Sequence, residues 1–173
     1  MNFLEKTIKS IDELKKIGII DSYAICGGIA SLFYIEPVST YDLDVMIFLS
    51  SEKNPLNPLE DVFQWAKSNN YEFDREYIVI ENIPVQFLPV FNELVGDAVR
   101  NSILFKVGET DVPVLRSEYL MAIMLDVNRP KDRERLIRFF SSVAFDEQYF
   151  ESILNKFSLR ERYESFKQKY GDE

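Results

Sequence analysis

The spacing of apolar residues switches repeatedly along the chain between a helical and a strand pattern. Apolar residues three and four positions apart predict amphipathic helices, whereas short apolar runs between turn residues predict strands. In chain order, the predicted elements are a helix over 3–17, a turn at Asp21-Ser22, the strand YAIC, a helix from Gly27-Gly28 to about Tyr34 that stops before Pro37, the strand DLDVMIFLS, a helix capped by Asn57 and ending near Ser68, the strands EYIVI and PVQFLPV joined by Glu81-Asn82, a helix near 92–100, the strands ILFKV and DVPVL turned at Gly108, and helices near 117–127, 131–142, 146–157 and 160–169. The pattern predicts an α/β core over residues 1–115 and a helical C-terminal part over 116–173, together forming one compact unit.

Length and composition indicate a folded globular protein. The chain has 173 residues, 46% of them hydrophobic, which is enough for a sizeable core. Its longest nearly apolar run, Tyr23–Ile35, has 13 residues and is too short to cross a bilayer. The N-terminal segment lacks the basic start and continuous apolar stretch of a secretory signal. We therefore expect a cytoplasmic protein with no membrane span.

The residue types present exclude several chemistries. Histidine is absent, which excludes Ser-His-Asp and Cys-His catalysis and zinc sites that need imidazole. The single cysteine, Cys26, cannot form an intramolecular disulfide and fits a reducing compartment. A net charge of -9 argues against a broad electrostatic grip on nucleic acid, although a local basic patch stays compatible.

Two aspartates interrupt an apolar run. Asp42 and Asp44 belong to a strand that is expected to be buried, where a charge costs desolvation energy unless a cation compensates it. Strand alternation places both side chains on one side, about 7 Å apart, so they can share a divalent cation such as Mg²⁺. Gly27 and Gly28 lie where a strand enters a helix, so their amides can approach a phosphate. The structural alternative is that Asp42 caps the start of the strand and Asp44 pairs with a lysine or arginine.

These residues carry a family resemblance. The glycine pair, the 13 residues between Gly28 and Asp42, and the strand TYDLDVMI resemble the signature of the nucleotidyltransferase-fold superfamily. The segment VPVLRSEYLMAIMLDVNRPKDRERLIRFF resembles the corresponding region of small bacterial AbiEii-type and minimal nucleotidyltransferases. The similarity spans about residues 23–140. It implies a mixed sheet flanked by helices, followed by a helical C-terminal part.

The resemblance also implies an activity. Members of this superfamily use Mg²⁺ to move a nucleoside monophosphate from an NTP to an acceptor hydroxyl, which here could belong to a tRNA, a protein or a small molecule. On this basis Gly27, Gly28 and Ser31 would hold the triphosphate. Asp42 and Asp44 would be catalytic metal ligands, in a site where two metals can clamp the attacking and leaving oxygens.

The sequence departs from the family pattern at the third carboxylate. Gln86, in PVQFLP, matches that position, so it belongs to the predicted catalytic set together with the two aspartates. A neutral amide cannot act as a base, and it lowers the charge that retains a second metal. Glu76 or Glu81 could take the place of the missing acid.

A second departure concerns the cations that meet the triphosphate. Met124 falls where relatives often carry a helix lysine, so Arg129 and Lys131 would supply that charge. Their alternative role is an ordinary solvated helix face.

Two other functional classes stay open. One is a catalytically degenerate member of the fold that binds a nucleotide or a protein partner, as a toxin-antitoxin-like module does. The other is a structural domain in which internal lysine or arginine neutralises both aspartates.

Overall fold

The computed structural model describes residues 3–36, 40–50 and 56–171. The chain separates into two compact units. The first comprises Met1–Ala30 and Ser39–Leu115, and the second comprises Ser31–Val38 and Arg116–Glu173. Within the described ranges, none of the helices combines the length and the apolar character needed to span a membrane.

Helices and strands are mixed up to residue 114, and the later elements are all helices. The elements are α1 (Phe3–Lys16), β1 (Ile20–Cys26), α2 (Gly27–Ser31), β2 (Leu43–Leu49), α3 (Glu60–Ser68), β3 (Glu72–Asp74), β4 (Tyr77–Ile80), β5 (Ile83–Pro89), α4 (Glu93–Arg100), β6 (Ile103–Val107), β7 (Thr110–Val114), α5 (Ser117–Val127), α6 (Pro130–Ser142), α7 (Glu147–Lys156) and α8 (Arg160–Tyr170).

A seven-stranded mixed sheet forms the first unit, with the strand order β3-β4-β5-β2-β1-β7-β6. The pairs β2/β5 and β1/β7 are parallel, and the other neighbouring pairs are antiparallel. This arrangement confirms the predicted α/β class with a mixed sheet. Strand β2 lies fourth of the seven, so the residues at its start are in the middle of the sheet.

Period-two and period-3.6 patterns explain the core of this unit. On β2, Leu43, Val45 and Ile47 are fully buried on one face of the sheet, as strand alternation requires. On α1, the residues that contact the core recur at helical spacing, and Ile8 and Ile11 have no exposed surface. Helix α4 packs against β1 and β2.

Both predicted hairpins are confirmed. Glu81 and Asn82 have φ angles of 51° and 67°, the left-handed values of a two-residue turn whose twist matches the adjoining strands. Gly108 turns the β6/β7 hairpin with a φ of 60°. The predicted helix near 92–100 is also present as α4, and the Asn92 side chain caps it by accepting a hydrogen bond from the Val95 amide at 2.8 Å.

The turn predicted at Asp21-Ser22 is wrong, because both residues belong to β1. The chain instead reverses at Gly18, where φ is 75°. Asp21 is exposed and accepts a hydrogen bond from the Ser50 hydroxyl at 2.6 Å. Its side chain is polar because this end of the strand is open to solvent. The pairing register is irregular between Ile20 and Ser22, so the alternation of apolar and polar residues expected of a strand is interrupted there.

Two helix boundaries differ from the predictions. Helix α2 ends at Ser31 rather than near Tyr34, and Pro37 lies outside the described residues. Helix α3 begins at Glu60, and no side chain caps it; the Asn57 carbonyl instead accepts a bond from the Glu60 amide at 3.1 Å, closing a separate turn. Strand β3 was not predicted because its three residues are all exposed and carry no apolar pattern.

Helices α5 to α8 form the second unit, as the helical pattern predicts. Helix α5 packs against each of the other three and is buried along most of its length. Phe140 is the centre of an aromatic cluster, with ring centroids 5.5 to 6.0 Å from those of Phe145, Phe150, Tyr163 and Phe166. Such edge and tilted ring contacts add to the burial of the rings.

Candidate active site

The candidate site is built around Asp44, at the start of a central strand. In the register of the sheet, Asp44 lies opposite Cys26 on β1 and opposite Gln86 on β5. The Cys26 thiol donates to the Asp44 backbone carbonyl at 3.5 Å and is itself buried, in agreement with its interpretation as a small buried side chain. Gln86 is partly exposed. The third-acid position of the resemblance therefore falls directly beside Asp44.

Gly27 makes room for the Asp44 carboxylate. Its φ of 64° is a left-handed value, and a Cβ placed on it would lie 1.9 Å from Asp44 Oδ2 and 2.8 Å from Asp44 Cγ. No side chain fits at that distance. The structure thus gives this glycine a clear role: it lets the carboxylate rest against the backbone where β1 enters α2.

Asp42 lies just before β2, where its Oδ1 accepts a hydrogen bond from the Thr40 hydroxyl at 3.5 Å. The negative charges of both aspartates affect the pKa of Tyr77, at the start of β4. The pKa of Tyr77 is raised above its ordinary value by partial burial first, then by the negative charges of Asp42, Glu76 and Asp44. The neutral form of the phenol is therefore favoured, and a neutral phenol can donate a hydrogen bond.

The sequence analysis did not identify Tyr77, although the sequence contains a signal for it. Glu81-Asn82 forms a two-residue turn, so the strands on either side pair at fixed positions, and Ile78 is opposite Val85. One further step outward along this register brings Tyr77 level with Gln86. Reading the predicted hairpin pair by pair would have placed the tyrosine beside the candidate site.

The two alternative acids differ in their surroundings. Glu81 lies in the turn at the other end of β4, where its carboxylate is 3.8 Å from the Lys6 ammonium. Glu76 lies in the turn between β3 and β4, where its negative charge helps to raise the pKa of Tyr77. Across residues 3–36, 40–50 and 56–171, no three Asp, Glu or Cys side chains are grouped so that they could hold a metal ion by themselves.

The other residues predicted to bind phosphate have defined local environments. Gly28 and Ser31 are buried in α2, and the Ser31 carbonyl accepts bonds from the Tyr34 and Ile35 amides at 3.0 and 2.9 Å. With five residues, α2 is a short helix. The phosphate roles of Gly27, Gly28 and Ser31 stay predictions.

In the second unit, Arg129 begins α6 by pairing with Asp132. Its Nε lies 2.7 Å from Asp132 Oδ2 and its Nη2 lies 3.1 Å from Asp132 Oδ1, while its backbone amide also donates to Oδ2 at 3.1 Å. Lys131 is exposed, and Met124 is buried in α5. The phosphate contacts expected of Arg129 and Lys131 stay predictions.

The fold is similar to that of a solved protein. At a TM-score of 0.63, the chain is similar to an antigenic nucleotidyltransferase-like protein from Paracoccidioides brasiliensis, with 13% identity over 98% of this chain and 88% of that one. At a TM-score of 0.48 it is similar to ANT(2")-Ia in complex with adenylyl-2"-tobramycin, with 14% identity over 92% of this chain and 96% of that one. No protein-family profile and no curated protein sequence matches the chain. The first likeness shows that the chain has the nucleotidyltransferase-like fold, whereas the finer resemblance to AbiEii-type proteins stays a prediction.

Proposed function

We propose that this protein is a Mg²⁺-dependent nucleotidyltransferase that moves a nucleoside monophosphate from an NTP to an acceptor hydroxyl. The observation that carries the proposal is the position of the Asp44 carboxylate. It rests against the side-chain-free backbone of Gly27, at the start of a central strand of a nucleotidyltransferase-like sheet. A carboxylate in this position has to be desolvated in part, and a bound cation would offset that cost.

The donor set fits one magnesium ion. Mg²⁺ is normally held by one or two carboxylates together with substrate phosphates and waters. Asp42, just before β2, and Asp44, at its start, would supply two carboxylates, and their charges act on the same tyrosine. When bound, the ion would neutralise charge on the phosphates during transfer.

The chain's own residues would position the reacting groups. In the reaction, the acceptor oxygen forms a bond to the α-phosphorus, the bond from that phosphorus to the β-phosphate's bridging oxygen breaks, and pyrophosphate leaves. The hydroxyl proton would pass to water, because the Gln86 amide beside Asp44 cannot accept it. The rate would then depend mainly on positioning and charge compensation.

Calorimetry with ATP, GTP, CTP and UTP, each with and without Mg²⁺, tests the proposal. We expect one or more of these nucleotides to bind only with the metal. A variant carrying Asp42→Asn and Asp44→Asn should lose that binding while keeping its circular dichroism spectrum. A labelled α-phosphate would then be followed into tRNA, protein and small-molecule acceptors. Absence of binding by the folded wild-type protein would refute the proposed activity.

Gln86 favours a second candidate, a member of the fold that binds a nucleotide or a protein partner without chemistry. A neutral amide directly opposite Asp44 is what loss of catalysis would leave behind. Metal-dependent nucleotide binding with no transfer to any acceptor, followed by a gain of transfer in Gln86→Asp, would support this candidate. Transfer by the wild-type chain would exclude it.

A further inference from the structure

One row of side chains crosses three strands beside Asp44. Val85 on β5 pairs with Leu43 on β2 and with Ile78 on β4, and these three buried residues share one face of the sheet. Successive residues of a strand point to opposite faces. Asp44 and Gln86 follow Leu43 and Val85, and Tyr77 precedes Ile78 because β4 runs antiparallel to β5. These three residues therefore lie on the other face of the sheet, in a row.

This row holds one carboxylate and two neutral groups. Neighbouring strands are about 4.8 Å apart, so Gln86 is within reach of any ligand that Asp44 holds, and Tyr77 lies one strand further. The negative charges of Asp42 and Asp44 also help to raise the pKa of the Tyr77 phenol, in agreement with its place in this row. Both Gln86 and Tyr77 can donate hydrogen bonds, but neither carries a charge.

Glu76 and Glu81 are the two acids that the sequence analysis named as replacements for the missing carboxylate. Glu81 pairs with Lys6 at the far end of β4, and Asp74, the partner of Tyr77 on β3, is three strands from Asp44, about 14 Å by the usual strand spacing. Glu76 lies nearer the row, in the turn before Tyr77. Two cations in a paired site lie only about 3.5–4 Å apart and need bridging ligands between them.

We propose that this site takes a single divalent cation with the nucleotide, and that Gln86 and Tyr77 occupy the place of a second cation's ligands as neutral hydrogen-bonding groups. The inference rests on the proposed nucleotide-binding function and specifies its metal content. It predicts that one substitution, Gln86→Asp, is sufficient to create the second metal site.

Mn²⁺ is the probe, because it replaces Mg²⁺ and is visible by electron paramagnetic resonance. The protein would be equilibrated with Mn²⁺ and α,β-methylene analogues of the four NTPs, which bind without reacting. Bound Mn²⁺ per nucleotide-loaded chain would be counted by equilibrium dialysis. We expect one ion for the wild type, and two for Gln86→Asp, with the spin-coupled spectrum of neighbouring ions. Gln86→Glu serves as a second variant in case the first fails to fold.

One control variant identifies the source of any additional ligand. Glu76→Gln should still bind one ion, because Glu76 is not a metal ligand in this proposal. Two ions in the wild type would overturn the inference and leave the proposed function standing, and loss of one of them in Glu76→Gln would identify the substitute acid. One ion in both folded Gln86 variants would also overturn it. Absence of nucleotide-dependent Mn²⁺ from all variants would refute the proposed function itself.

Discussion

Substituting Gly27 with alanine tests the central geometry of the site. The added methyl would lie 1.9 Å from Asp44 Oδ2, whereas ordinary contact begins near 3.4 Å, so the carboxylate must move by about 1.5 Å or more. The obstacle is the end of a side chain, which can rotate away. The main effect should therefore fall on cation binding rather than on folding.

The cost in stability follows from the backbone. A non-glycine residue in the left-handed region costs about 1–2 kcal/mol, and the rotation of Asp44 adds about 0.5–1.5 kcal/mol if it leaves its preferred rotamer. For a chain of this length, each kcal/mol corresponds to about 2–4 °C in Tm. We expect Gly27→Ala to melt roughly 3–14 °C below the wild type and to bind Mg²⁺ and nucleotide at least tenfold more weakly, since a 1.5 Å displacement exceeds the tolerance of magnesium coordination.

Gly18 provides a matched control. Its φ is 75°, and a Cβ placed there would meet no atom within 4 Å. Gly18→Ala therefore carries the same backbone cost without the collision, and its nucleotide affinity should equal that of the wild type. Adding Asp44→Ala to Gly27→Ala removes the carboxylate that collides, so the two stability losses should be less than additive.

Thermal unfolding and calorimetric titration with Mg²⁺ and nucleotide provide the comparison for Gly27→Ala, Gly18→Ala, Asp44→Ala and the double variant. A selective loss of affinity in Gly27→Ala, absent from Gly18→Ala, would support the role of Asp44 as a metal ligand. Wild-type affinity in Gly27→Ala would refute it, because the carboxylate would have moved without consequence.

Two further predictions concern stability. Asn92→Ala removes the side-chain acceptor of the Val95 amide and should cost about 1 kcal/mol, measured by urea unfolding at neutral pH; an unchanged midpoint would contradict the cap. Burial, then the hydrogen bond to Asp12 and the charge of Asp12, raise the pKa of Tyr23. The stability that the neutral phenol contributes is thus complete below pH 10 and is lost as the pH rises further. Tyr23→Phe should therefore cost about 1–2 kcal/mol at pH 7, and the unfolding free energy of the variant should decline less steeply at alkaline pH. If the unfolding free energies of variant and wild type fall in parallel with pH, the prediction is refuted.

Local patterns were sufficient to predict most of the elements. The two-residue turn at Glu81-Asn82 and the glycine at 108 fixed both hairpins because their left-handed backbone is a local property. The extent of β1 was missed because Asp21 and Ser22 look like turn residues, and only pairing with β2 keeps them extended. Strand β3 has no buried face, so nothing in its composition separates it from a loop.

The sequence indicated candidate site residues by type but not how they are arranged. The desolvation argument selected Asp42 and Asp44 from the sequence alone. The position of Gln86 directly opposite Asp44, with Tyr77 one strand further, depends on strand order and register, which join segments more than 30 residues apart. The reason for Gly27 likewise lies in a contact with a strand that follows it in the chain.

The register also predicts how an acid at position 86 would behave without metal. A carboxylate there would lie about 5 Å from that of Asp44, where two like charges repel by about 1–3 kcal/mol for effective dielectric constants between those of water and a protein surface. Gln86→Asp should therefore be less stable than the wild type by this amount in the presence of a chelator. A cation shared by the two carboxylates would reverse the loss, so Mg²⁺ with nucleotide should raise its Tm by more than it raises that of the wild type. Thermal unfolding of both proteins with chelator and with Mg²⁺ and nucleotide measures the difference. Equal stability of the two proteins in chelator would mean that the side chains at 44 and 86 do not face one another, and the single-cation inference would lose its geometric basis.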